Sequence, residues 1–373
     1  MNNSTDLPGL YIHVPFCRAK CPYCDFYSTP ALSLVDSWLG NLKKEALLYR
    51  EHFSVFDSLY FGGGTPTLLP DGTFGELGSF LRDHFTFAND IEITVEANPE
   101  DLTAEKLAAL RACGVNRLSI GAQSFNDAEL STLKRRHSAY DAEAAVELAR
   151  SKGFENIGID LICLIPGQTE ESWIETLQRA LKLGPAHLSC YQMTFEEGTP
   201  FGRLKQKGSV IPADEETERR FFLLTSRLLE GHGFIHYEIS NFAREKSRSR
   251  HNSKYWRHVP YLGLGPSAHS FDGRRRWWNT RSVKEYCRAL EKSVKPVEGS
   301  EVLTEEQFHL ERVYLGMRTR DGLLLAETCD ASRPESALSP LLQSGLIRLE
   351  NGRVMPTLDG FLVADRLPLL FPN

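Results

Sequence analysis

Cys17, Cys21 and Cys24 fall at C-x3-C-x2-C spacing, directly after the β-branched and aromatic run Tyr11-Ile-His-Val-Pro-Phe16. A [4Fe–4S] cube has four irons that each take a protein ligand, normally a Cys thiolate, so a loop supplying three leaves one iron open to a small molecule. The same residues also read as a structural zinc site, with His13 or another side chain completing a Cys3His tetrahedron. Disulfides are disfavoured. Eight cysteines in 373 residues is ordinary usage for a reducing compartment, and Met-Asn-Asn-Ser-Thr-Asp opens no charged segment followed by an apolar one, so a cytoplasmic location is expected.

Elements of alternating type must position that loop. Strands are expected near 10–14, 57–62, 91–96, 117–122, 156–163, 187–193 and 234–239, separated by segments with apolar residues at helical spacing, such as Leu39, Leu42, Leu47 and Leu48. This alternation predicts an α/β fold, a partial (β/α)6 barrel whose reactive groups gather at the C-terminal ends of its strands. Past residue 240 the alternation fails. Residues 241–299 read as a basic and aromatic connecting segment closed by a linker at Pro296 and Gly299, and residues 300–373 as a small winged-helix-like α+β domain. Within the latter, Asn351-Gly352 between two β-type runs predicts a two-residue hairpin.

At the end of the second strand stands Gly62-Gly63-Gly64-Thr65-Pro66, where glycines permit close backbone approach to a ligand and Thr-Pro suits a helix start. On the third strand Glu92, Thr94 and Glu96 alternate with Ile91, Ile93 and Val95, which puts the carboxylates on one face. Gln123 ends the fourth strand, and Asp160 interrupts an otherwise apolar fifth, where a buried acid needs partners. Cys113, Cys163, Cys190, Cys287 and Cys329 lack paired spacing and read as small buried hydrophobes, and His187 and His232 as structural.

With 41% hydrophobic and 25% charged residues the chain can bury a large core, and no apolar run approaches the ~20 residues of a membrane span. A net charge of −6 argues against a protein built to coat nucleic acid. It leaves room for a local basic patch or a peripheral membrane contact.

The cysteine loop, with Tyr23 in the aromatic place before Cys24, resembles the cluster motif of radical S-adenosylmethionine (SAM) enzymes. The flanking sequences YIHVPFC and CPYCDF are closer still to the HemN/HemW group of oxygen-independent coproporphyrinogen oxidases and haem chaperones. The resemblance implies a [4Fe–4S] cluster on Cys17, Cys21 and Cys24, with SAM chelating the open iron. Tyr11, Gly63, Gly64, Thr65, Glu96, Gln123, Arg135 and Asp160 match the family's SAM-contacting positions in order and type.

One segment separates the relatives. Arg244, Lys246, Arg248, Arg250, Lys254 and Arg257 form a basic island opposed only by Glu245, and Tyr261, Arg274, Arg275, Arg276, Trp277 and Trp278 follow. Such a mixture suits a solvated face, single-stranded nucleic acid, or haem, which offers a flat macrocycle, two propionates and an iron that takes axial His. His251-Asn252-Ser253-Lys254-Tyr255-Trp256 matches the H-N-x-x-Y-W motif of the haem chaperones, which implies His251 as haem ligand; a structural histidine is the alternative. The dehydrogenases of the group carry a fourth nearby cysteine where this chain has Phe26, and a longer N-terminal arm. The resemblance therefore implies a haem chaperone holding a cluster, SAM and haem and passing haem to an acceptor protein. Coproporphyrinogen dehydrogenation, RNA modification and a zinc module are the alternatives. An electron donor, the acceptor's identity, and the choice between monomer and homodimer stay open.

Overall fold

A computed structural model describes residues 6–328 and 338–371. Cys329 lies outside the described residues. Six parallel strands, β1 (Gly9–Val14), β2 (Val55–Gly63), β3 (Thr86–Ala97), β4 (Arg117–Gln123), β5 (Asn156–Cys163) and β6 (His187–Gln192), lie side by side in chain order with helices between them. This is the expected partial barrel.

Period-two alternation explains why the strands curve around a polar interior. Leu10, Ile12 and Val14 of β1, Leu118, Ile120 and Ala122 of β4, and Ile157, Ile159 and Leu161 of β5 are fully buried under the helical layer. Their neighbours in sequence, Tyr11 and His13, Arg117, Ser119, Gly121 and Gln123, and Asp160, point the other way and line the interior. The helices bury their apolar stripes against the outer face, as Trp173, Leu177 and Ala180 do on Glu170–Lys182, whose start is fixed by a reciprocal capping box between Thr169 and Ser172.

The sheet extends beyond the six strands at both edges. β7 (Ile235–Glu238) pairs antiparallel with β8 (Asn241–Ala243), and β8 pairs antiparallel with β6. On the other side β9 (Tyr261–Leu264) runs parallel to β1, followed by the antiparallel β10 (His269–Phe271), β11 (Arg275–Asn279) and β12 (Val297–Val302). The basic and aromatic stretch thus contributes five strands to one twelve-stranded sheet. Gly299, which reads as linker, sits within β12 because its partner Trp278 lies over it: a Cβ there would come 2.4 Å from the indole.

After helix Glu305–Gly316, a second core of Val313, Met317, Leu341, Ile347, Val354 and Leu367 packs on the three-stranded sheet of β13 (Leu323–Leu324), β14 (Ile347–Glu350) and β15 (Arg353–Pro356). The Asn351-Gly352 hairpin is present, and both residues have positive φ, 51° and 72°, as a type I′ turn requires. Among the described residues no helix is long and apolar enough to cross a membrane.

Candidate functional site

The C-terminal ends of β1 and β2 are drawn together to carry the cysteine loop. Gly64 N donates to Val14 O and Thr65 N to Phe16 O, both at 2.7 Å, so the glycine turn is tied to the residues just before Cys17. A Cβ on Gly64 would fall 2.5 Å from Phe16 O, and one on Gly63, at φ +105°, 2.5 Å from the His13 ring. The glycines are there for close approach, as the sequence suggests, and the neighbour they approach is the protein itself.

From this turn a polar chain leads to the cysteines. Thr65 Oγ1 lies 3.4 Å from Cys17 Sγ and accepts from Asn98 Nδ2 at 3.1 Å. Asn98 Oδ1 accepts from Arg135 Nη2 at 2.6 Å, and the same nitrogen donates to Gly121 O at 3.0 Å. Arg135 Nη1 points to Cys21 Sγ at 3.5 Å. Its Nε is buried and has no partner among the described residues. Burial opposes the charge of Arg135, but the Tyr23 hydroxyl, Cys21 and Glu100 around it hold its pKa above the ordinary value. Asn98 is not singled out by the sequence, where it simply follows the third strand.

The acids gather in the interior. Glu96 accepts from Tyr60 OH at 2.8 Å and from Gly63 N at 3.1 Å, and burial pushes its pKa up to about 7. Asp160 accepts from Ser119 Oγ at 2.9 Å and is also raised, chiefly by burial. Arg117, 1% exposed, answers them: burial opposes its charge, while Glu92, the tyrosines Tyr60 and Tyr237, and Asp160 keep its pKa above the ordinary value. Gln123 ends β4 at φ +66°, with its amide folded over Gly121. Arg117, Ser119 and Tyr60 also went unread in the sequence; what marks them is the same two-residue alternation that marks Glu96.

The three thiols are unpaired, half-buried and on the wall of one cavity of about 2140 Å³, together with Tyr11, Tyr23, Gly63, Gly64, Thr65, Glu96, Gln123, Arg135 and Asp160. Burial pushes the Cys17 and Cys24 thiols up, so loading a metal group must release protons. The volume exceeds the ~300–1,000 Å³ of a site for one drug-sized ligand and leaves room for more than one occupant. Tyr23 turns its ring toward Phe201, 6.4 Å between centroids, and anchors the loop in a small apolar cluster.

His13 does not complete a zinc tetrahedron. Its Nε2 donates to Tyr27 O at 3.0 Å, so its Nδ1 must accept from Tyr11 OH at 3.1 Å, and no ring lone pair remains for a metal. Burial lowers its pKa to about 4, which keeps it neutral. Three thiolates flanked by Arg135 fit the donor set of a three-Cys [4Fe–4S] cluster.

His251 stands apart from this rim. It opens the helix Arg250–Trp256, which closes the N-terminal end of the barrel; Glu92 accepts from the backbone N–H of Arg250 and His251 at 3.1 and 3.0 Å. The imidazole is 1% exposed, with Nδ1 3.0 Å from Ser58 Oγ and Nε2 2.9 Å from Tyr255 OH, and its ring stacks on Tyr60. Gly9 makes room for it, since a Cβ there would lie 2.9 Å from the ring. Burial, with Lys254 and Arg117, lowers its pKa to about 3.

The basic island is largely neutralised. Arg248 pairs with Asp321 at 2.6 Å, Arg250 with Asp90 at 3.0 Å, Lys254 with Asp57 at 2.6 Å and Arg257 with Asp6 at 2.8 Å, while Arg244 lies over the Phe234 ring. Among the other sequence readings, Cys163, Cys190 and Cys287 are buried and Cys113 half-buried against the core. His187 is buried on Tyr237 OH at 2.7 Å, and His232 bonds the backbone of its own helix.

Comparison with known proteins agrees with this geometry. Residues 11–180 match the model of the radical SAM superfamily. The heme chaperone HemW of Mycobacterium tuberculosis is 36% identical over 96% of this chain and 93% of its own length, and that of Bacillus subtilis 36% identical over 97% and 98%. Among solved structures, the Escherichia coli coproporphyrinogen III oxidase HemN, titled a radical SAM enzyme, superposes with a TM-score of 0.83 at 25% identity, covering 98% of this chain and 90% of that one. At this identity over nearly the whole length, the chain belongs to the HemW family of the radical SAM superfamily.

Proposed function

We propose that the protein is a cytoplasmic haem chaperone. In this reading it binds haem together with a SAM-coordinating [4Fe–4S] cluster and hands haem to an acceptor protein. The observation that carries it is the similarity to HemW along nearly the whole chain.

When bound to Cys17, Cys21 and Cys24, the cluster supplies an open iron for the amino and carboxylate groups of SAM. The chain's own groups hold the rest of that molecule. Arg135 offers a cation beside its carboxylate, Glu96 and Asp160 offer carboxylates to the N–H of its iron-bound amino group and to its ribose diol, the Gln123 amide lies beside them, and Gly63 and Gly64 keep that wall of the cavity free of side chains. Tyr11 stands at the same wall and Tyr23 fixes the loop. Four cations of the basic island are already paired with carboxylates, which weighs against an RNA-directed reading.

A second reading, oxidative decarboxylation of coproporphyrinogen III, is favoured by the superposition on HemN. Phe26, in place of the fourth cysteine, speaks against it. One preparation separates the two. Protein purified without oxygen and assayed for iron and sulfide is loaded with haem, mixed with an apo-haem protein, and in parallel given coproporphyrinogen III and SAM. Haem transfer without porphyrinogen turnover is the expected result; turnover without haem binding would replace the chaperone by the dehydrogenase.

A further inference from the structure

His251 is buried beneath the cavity-lining Tyr60 and Tyr255 with both ring nitrogens against hydroxyls, whereas another histidine stands exposed at the rim itself. β9 runs parallel to β1, so its C-terminal end lies at the rim that carries the cysteine loop. The turn after it is pressed onto that rim: Gly265, at φ +102°, has no room for a Cβ, which would stand 2.6 Å from His13 O. His269 follows this turn as the first residue of β10, is exposed, and lines the same cavity as Cys17, Cys21 and Cys24.

Neither ring nitrogen of His269 has a hydrogen-bond partner among the described residues. Trp278, directly opposite on β11, stacks on the imidazole at 5.9 Å between centroids, and is itself seated on Gly299. The ring is therefore backed on one face while its nitrogens remain free. Partial burial and the guanidiniums of Arg276 and Arg281 hold its pKa below the ordinary value, which favours the neutral form that ligates metals. Arg281 lines the cavity beside it and reaches the loop, donating from Nη2 to Asp25 O at 3.2 Å. Phe26, 67% exposed on the same wall, adds an apolar surface. A free imidazole, a cation and an exposed aromatic at one rim match the iron, propionate and macrocycle of haem.

We propose that His269, at the cluster end of the cavity, is the axial ligand of the haem iron, and that His251 is a structural residue of the barrel floor. The assignment rests on the chaperone reading and goes beyond it by naming the ligand and placing the cargo at the cluster rim.

The test is a haem titration of the full-length, cluster-loaded protein followed by Soret absorption, on wild type, His269→Ala and His251→Ala, with iron, sulfide and SAM binding measured on each. The expected result is at least tenfold weaker binding and an altered Soret band in His269→Ala, restoration of the band by added imidazole, and the wild-type band in His251→Ala. Wild-type affinity and spectrum in His269→Ala would overturn the assignment and leave the chaperone reading standing, as would loss of the band in His251→Ala alone. A wild type that binds no haem would overturn both. Imidazole rescue separates a missing ligand from a damaged fold, because a misfolded site would not recover.

Discussion

Arg135 places its Nη1 3.5 Å from the Sγ of Cys21, across 114 positions of sequence. Through Asn98 the same guanidinium reaches Thr65, which in turn lies beside Cys17. The cation on one cysteine and the hydroxyl on another are thus held by one side-chain chain, and under the proposed function Arg135 would couple SAM binding to the cluster's surroundings.

Arg135→Gln removes the charge while keeping some hydrogen bonding. SAM affinity, measured by equilibrium binding to the cluster-loaded protein, falls by about tenfold or more, the ~1.5–3 kcal/mol of a charge-assisted hydrogen bond. The cluster's reduction potential moves to more negative values, because a positive neighbour of a thiolate ligand is gone. Unchanged affinity and potential would show that Arg135 only supports Asn98 and Gly121.

Gly64→Ala puts a methyl group against two backbone oxygens, Phe16 O and Val14 O, neither of which is a flexible side-chain end. The cost is about 1–3 kcal/mol, concentrated where the cysteine loop leaves β1. Iron and sulfide content after reconstitution drops while the far-ultraviolet spectrum stays that of wild type. Full cluster loading in the variant would remove the glycine turn from the loop's scaffold.

Glu45 is fully buried and accepts from Tyr286 OH at 2.6 Å and Gly265 N at 2.8 Å, which ties the first helix to the turn before His269. Burial pushes its pKa up to about 7. Between its ordinary value of 4.5 and 7 the folded state holds a proton that the unfolded chain has lost, so stability falls as pH rises through that window. The contribution is about 3 kcal/mol, complete above pH 7. In Glu45→Gln, denaturant midpoints at pH 5 and pH 8 lie closer together than in wild type. An equal separation in both proteins would rule out Glu45 as a source of the slope.

Gly352→Ala meets no steric contact, but its φ of +72° is the left-handed region. The substitution costs about 1 kcal/mol, the penalty of an L residue there. Hydrogen exchange speeds up in β14 and β15 and stays unchanged in β1 to β4. Uniform loss of protection would mean that the hairpin is integral to the barrel's cooperativity.

The parts of the fold that could be read from the sequence are those with a period. Ile91-Glu-Ile-Thr-Val-Glu96 alternates cleanly, so both the strand and the inward face of Glu96 follow. Cys17, Cys21 and Cys24 stand out as a group by their spacing, and the structure puts all three on one cavity wall. What could not be read depends on pairing between distant segments. Tyr261-Leu-Gly-Leu264 is too short and Gly-broken to announce a parallel strand, and its partner, β1, is about 250 positions away. Glu45 reads as one more polar position of an amphipathic helix, and nothing local says that Tyr286, Asn279 and Gly265 will enclose it. At His251 the motif identifies a position but not its surroundings: that both ring nitrogens meet hydroxyls, of Ser58 and Tyr255, follows only from the packing of the helix on β1 and β2.

The account turns on three thiolates holding a cluster with one iron left for SAM. Electron paramagnetic resonance of the reduced, anaerobically reconstituted protein, recorded with and without SAM, addresses it most directly. The predicted result is about four irons and four sulfides per chain, a reduced-cluster signal that changes on adding SAM, and loss of that signal in Cys21→Ala. A preparation with no acid-labile sulfide, or a signal indifferent to SAM, would contradict it.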